Sequence, residues 1–131
     1  MENFLEEIHK FNEKELRISL AAEYCPENQH ILCFHMYGEL YNETCCPLEK
    51  LISQVLTQEE IPEVLVLECS NLNYVSSTGI GVFVSILMRC NRRNIKLFLS
   101  AMPEKILNIF SLLGFYSYFN FISTTADAKP N

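Results

Sequence analysis

The chain has 131 residues, 49% of them hydrophobic, which suits one domain with a substantial core. Ten Lys and Arg stand against sixteen Asp and Glu, for a net charge of −6. Neutralising a phosphate backbone takes a basic stripe, and the only loose grouping is Arg89, Arg92, Arg93 and Lys96, so nucleic acid is not an expected partner.

The longest apolar run, residues 80–88, is interrupted and too short to cross a bilayer. The start, Met1-Glu2-Asn3 followed by Glu6 and Glu7, has neither the basic opening nor the apolar core of a secretory leader. A cytoplasmic protein without membrane insertion is expected.

Residues 1–14 read as a short amphipathic helix, with Phe4, Leu5, Ile8 and Phe11 at helical spacing. Leu16, Ile18, Leu20 and Ala22 then alternate with polar partners, as in a half-buried strand. Pro26-Glu27-Asn28-Gln29 supplies a turn, and residues 30–37 form a second strand, giving a hairpin that Gly38 ends. Asn42 or Thr44 is placed to cap the next helix, with Pro47 tolerated in its first turn. Leu48, Leu51, Ile52 and Val55 give that helix its apolar face.

Residues 64–69 are almost continuously apolar, the mark of a central strand buried on both faces. A helix is expected over residues 78–91 and a buried strand over 95–99. The helix after Pro103 carries Ile106, Ile109, Phe110 and Leu113 and closes at Gly114, where left-handed backbone is needed. Residues 119–122 read as a last short strand; the chain from residue 124 to 131 reads as polar and frayed, with residues 126–131 as a tail beyond the domain. The crossovers predict an α/β fold over residues 15–125: one mixed β-sheet with parallel central strands covered by helices.

Cys25, Cys33, Cys45, Cys46, Cys69 and Cys90 show no C-x-x-C and no Cys/His ligand spacing. They read as free thiols serving as small hydrophobes, so neither a metal nor a cofactor is expected. His9, His30 and His35 form no recognisable nucleophile constellation, and Gly79-x-Gly81 lacks the third glycine and the lysine of phosphate-binding loops. The chain is therefore not expected to be an enzyme.

The most informative stretch is Tyr74-Val75-Ser76-Ser77-Thr78-Gly79-Ile80-Gly81. Three hydroxyls sit where a buried strand turns into a helix, beside the unsatisfied amides of a helix start. Taken alone, hydroxyls there are ordinary caps. Four segments in order, however, resemble the STAS family, the fold of bacterial anti-sigma factor antagonists, across nearly the whole chain. Gly38-Glu39-Leu40 resembles the family's Gly-x-Leu after the second strand. Residues 64–69 resemble its central strand, with Glu68 where Asp is usual. Val75-Ser76-Ser77-Thr78-Gly79-Ile80-Gly81 resembles the family's Ile-Asp-Ser-Ser-Gly-Leu-Gly. Met102-Pro103-Glu104, with Leu112-Leu113-Gly114-Phe115, resembles its Ser-Pro-Glu helix that finishes in Gly-Leu.

The resemblance implies an anti-sigma factor antagonist acting by partner switching in the regulation of transcription. The implied partner is an anti-sigma factor with serine kinase activity, with a protein serine phosphatase as a further one. By position, the family's Asp falls on Ser76, its phosphoacceptor on Ser77 and its second Ser on Thr78. The candidate docking surface combines this turn with Gly38 and the following helix. Gly79 and Gly81 would admit another backbone, and Thr78, Gly81, Ser85 and Arg89 form a small polar stripe at helical spacing. A phosphate on Ser77 would add roughly −1.5 to −2 charge and disfavour a close-packed complex through desolvation. Ser76 in place of Asp supports an alternative, a non-phosphorylated STAS binding module or scaffold in a larger signalling or transport complex.

Overall fold

The computed structural model describes residues 2–129 apart from Glu59, with side chains from Leu5 onward. The chain runs α1 (Glu2–Lys14), β1 (Ile18–Cys25), β2 (Asn28–Leu40), α2 (Asn42–Leu56), β3 (Val64–Val75), α3 (Ser77–Arg92), β4 (Lys96–Ser100), α4 (Glu104–Leu112) and β5 (Asn120–Ile122). Short 3-10 turns occupy Tyr116–Tyr118 and Thr125–Asp127.

The strands form one mixed sheet in the order β1-β2-β3-β4-β5. β1 and β2 are an antiparallel hairpin, and every later neighbour is parallel. Parallel strands need crossovers, which α2, α3 and α4 supply. Central β3 buries Val64, Leu65, Val66 and Leu67 completely, two on each face. On one face Leu65 and Leu67 join Leu20, Leu32, Phe34, Met36, Leu97 and Leu99 in a core shared with all four helices. On the other, Val64 and Val66 pack with Ile31, Cys33, Phe98 and Ala128. Each such aliphatic side chain contributes about 1.5–3 kcal/mol by leaving water.

Several boundaries differ from the sequence expectation. Leu16 is exposed and precedes β1. Gly38 does not end β2. It pairs with Ile18 on one side and Leu72 on the other, at φ 114, and the register against β3 shifts just after it. A Cβ at Gly38 would collide with the carbonyl oxygen of Arg17, which accepts the Glu39 amide at 2.8 Å. β3 runs beyond Cys69 to Val75, because Leu72 and Val75 keep burying one face of the strand.

α2 starts on Tyr41 as N-cap. Thr44 reaches back to accept the Tyr41 amide at 3.0 Å and donates to the Glu39 carbonyl at 3.0 Å. Asn42 is the first helical residue, and Pro47 lies past the first turn, where it costs the helix one hydrogen bond. The chain expected to fray from residue 124 is held as far as Ala128. The Asp127 carboxylate accepts the Thr124 amide at 3.3 Å, and the turn lays Ala128 onto the sheet.

α1 packs Ile8 and Phe11 into the helix-side core. Phe4, placed on the same face by its spacing, lies outside the described side chains. Asn12 on α1 grips the outer edge of β1. Its Nδ2 donates to the Leu20 carbonyl at 2.8 Å and its Oδ1 accepts the Leu20 amide at 2.8 Å.

Candidate functional site

The hydroxyl turn sits at the carboxyl end of β3, beside the end of β2. The Ser76 amide donates to the Leu40 carbonyl at 2.9 Å and pins the turn to β2. Ser76 is the N-cap of α3, with φ −81 and ψ 171. Its Oγ accepts the Gly79 amide at 3.1 Å, and its carbonyl accepts the Ile80 amide at 3.0 Å. Ser76 is thus committed to holding the helix start. Ser77 and Thr78 occupy the first two helical positions and are exposed. Amides of this first turn have no acceptor within the helix, and the dipole there is positive. The first turn of α3 carries no acidic side chain to offset it.

The two glycines of the motif differ. Gly79 is buried, and a Cβ there would lie 2.7 Å from the Leu40 carbonyl oxygen and 2.8 Å from Val75 Cγ1. Its missing side chain lets α3 close onto β2, so it does not offer backbone to a partner. Gly81 is exposed, with nothing within 4 Å of where a Cβ would stand. Gly38 belongs with Gly79: its missing side chain accommodates Arg17.

The stripe on α3 also divides. Thr78 and Gly81 face outward. Ser85 and Arg89 are half-buried and turned toward α2. Ser85 Oγ donates to Glu49 Oε1 at 2.6 Å, and Arg89 Nη2 lies 3.6 Å from the same oxygen. A shallow hollow of about 220 Å³ lies between Gly81, Val84, Ser85, Met88, Arg89 and Arg92. Sequence reasoning missed Met88, which is exposed, and Val84, which lines the hollow while packing, partly buried, against the core. Their spacing of three and seven from Gly81 was the signal that placed them on one face.

Elsewhere, His35 Nε2 lies 3.1 Å from Glu23 Oε1 and 3.6 Å from Cys33 Sγ. Both contacts use one ring nitrogen, so no relay runs from carboxylate through imidazole to thiol. Burial pushes the Cys33 thiol up to about 11, and it does the same to Cys90, to about 12. Such thiols stay protonated and poorly nucleophilic near neutrality. Among the described residues no group of three or more His, Cys, Asp or Glu side chains is placed to hold a metal. No described helix is long and apolar enough to cross a membrane.

The sequence model of the STAS domain matches residues 25–128, from the end of β1 through the 3-10 turn that precedes Lys129. The chain belongs to the STAS domain family. Solved structures agree on the fold. An anti-sigma factor antagonist from Mycobacterium paratuberculosis matches at TM-score 0.72 and 19% identity, over 84% of this chain and 89% of that one. The Bacillus cell fate determinant SpoIIAA in its phosphorylated form matches at TM-score 0.64 and 14% identity, over 83% and 95%. Murine solute carrier 26 family member A9, an anion transporter, matches at TM-score 0.72 and 15% identity, over 96% of this chain and 23% of that one. In this STAS domain the motif turn and the outward face of α3 are exposed.

Proposed function

We propose that this STAS domain protein is an anti-sigma factor antagonist whose docking to an anti-sigma factor with serine kinase activity is controlled by phosphorylation of Ser77. The observation that carries this reading is the division of labour at the turn. Ser76 is spent on the Gly79 amide, while Ser77 stands exposed at the first position of α3. The neighbouring solved antagonists, one of them in a phosphorylated form, supply the class of partner. The protein itself is a non-enzymatic, cytoplasmic substrate and binder, and a serine phosphatase restores the docking form.

A phosphate on Ser77 meets the uncompensated positive end of α3, so the free phosphoprotein stays folded. The same charge loses its water inside a close-packed complex and weakens it. Incubation with the native host's anti-sigma kinase and ATP, followed by phosphopeptide mapping, tests the assignment. Phosphate on Ser77 is expected only when the kinase is present. Labelling by ATP alone, or phosphate on other residues only, removes the reading.

A second reading is a constitutive binding module in a larger complex. Ser76 favours it, since it stands where the family carries Asp, and so does the match to a transporter's STAS region over nearly all of this chain. Protein isolated from its host without phosphate at Ser77 would support the module.

A further inference from the structure

Three of the chain's four arginines, Arg89, Arg92 and Arg93, line one hollow of about 120 Å³ between the C-terminal ends of α2 and α3. Ser53, Leu56 and Thr57 complete it, and among the described residues no acidic side chain lines it. This concentration of positive charge stands on a chain of net charge −6. Guanidinium groups stay protonated in proteins, so their mutual repulsion is not relieved by losing a proton.

The fold uses the three to different extents. Arg93 is a cap: its Nη1 donates to the Leu56 carbonyl at 2.7 Å and its Nη2 to the Gln58 carbonyl at 3.3 Å. Those bonds cover two carbonyls at the end of α2 that would otherwise repel an anion. Arg89 Nη2 lies 3.6 Å from Glu49 Oε1, an ion pair too long for a hydrogen bond, and its buried Nε has no acceptor. Arg92 is exposed and, among the described residues, makes neither a hydrogen bond nor an ion pair. The Ser53 hydroxyl likewise has no partner among them. A buried donor without an acceptor is costly, the more so on a charged group. The hollow thus presents donors for which the fold supplies no acceptor.

We infer that this hollow binds a phosphate-type oxyanion, held by Arg89, Arg92 and Ser53 with Arg93 beside them. A guanidinium fork matches phosphate and carboxylate alike. The arrangement favours the tetrahedral ion, because the donors come from two helices and a planar carboxylate offers both its oxygens in one plane. Size agrees: about 120 Å³ suits a single phosphate group and falls well below the roughly 300–1,000 Å³ of pockets for larger ligands. Arg89 and Arg92 also wall the adjoining hollow with Val84 and Met88, so an organic group carried on the phosphate would meet apolar surface there. Ser77 is not the source of the phosphate. It starts α3, whereas Arg89 lies in the last turn, about 18 Å further along the axis. The site is therefore independent of the Ser77 switch.

Calorimetric titration of the full chain with inorganic phosphate and with phenyl phosphate, at constant ionic strength, is the test, with acetate as the carboxylate control. Arg92→Gln removes one uncommitted fork, and Lys105→Gln removes the same charge from the exposed side of α4. Both side chains are exposed, so unchanged melting temperatures should report intact folds. Saturable one-to-one binding of phosphate is expected in the millimolar range, weakened about ten-fold or more by Arg92→Gln and unchanged by Lys105→Gln. Tighter binding of phenyl phosphate identifies the ligand as a phosphomonoester; equal or weaker binding identifies it as the free ion, and either supports the site. No saturable phosphate binding overturns the inference. So does an equal loss in the two variants, or acetate bound as tightly as phosphate.

Discussion

Gly79 and Gly81 stand two residues apart on α3, and their missing side chains serve different ends. At Gly79 a methyl group would press on the Leu40 carbonyl and on Val75. At Gly81 it would meet open space. Gly79→Ala should therefore destabilise the fold by about 1–3 kcal/mol through overpacking. Gly81→Ala should stabilise it by up to about 1 kcal/mol through helix propensity. Denaturant midpoints measure both, and shifts of the same sign would contradict this account of the motif. The Gly-x-Gly spacing and the place of Ser77 at a strand-to-helix turn were legible in the sequence. Which glycine backs onto the protein was not, because that depends on where β2 ends, more than thirty residues upstream. The same distance effect hid the Glu49 carboxylate that draws Ser85 and Arg89 away from the outward face.

At the scale of elements, α1 was legible from Ile8 and Phe11, but its second role was not. Asn12 lies within the apolar arc of the helix, four residues after Ile8 and seven after Leu5, as a lone polar side chain whose partner the pattern does not name. In the fold its amide pairs with both backbone groups of Leu20 and closes the edge of β1. Asn12→Ala removes both bonds and leaves the part-buried Leu20 groups short of partners. It should cost about 1–3 kcal/mol, read as a lowered unfolding midpoint. Asn12→Ala with wild-type stability would mean that the edge needs no cover. β2 and β3 were read short for a related reason. Gly38 and the polar Ser70–Asn71 pair look like punctuation locally, yet burial of Leu40, Leu72 and Val75 carries both strands onward. Local residue chemistry is overruled there by long-range pairing.

For the whole molecule, the order of crossovers was legible because parallel strands and their helices leave distinct apolar periods. The C-terminal segment was not, since Ala128 and a Thr125 contact with Cys33 hold it to the outer sheet face and no periodicity marks those contacts. The finished fold holds the hydroxyl turn at the carboxyl end of β3, with Ser77 exposed at the start of α3; docking there is the proposal of a partner-switching antagonist. That docking is the central claim. Its most direct test is the affinity of the anti-sigma partner, purified from the native host, for the chain with and without phosphate on Ser77. The phosphorylated chain should bind about five- to 150-fold more weakly, as a coupling of about 1–3 kcal/mol requires. Equal affinity of the two forms would contradict the account.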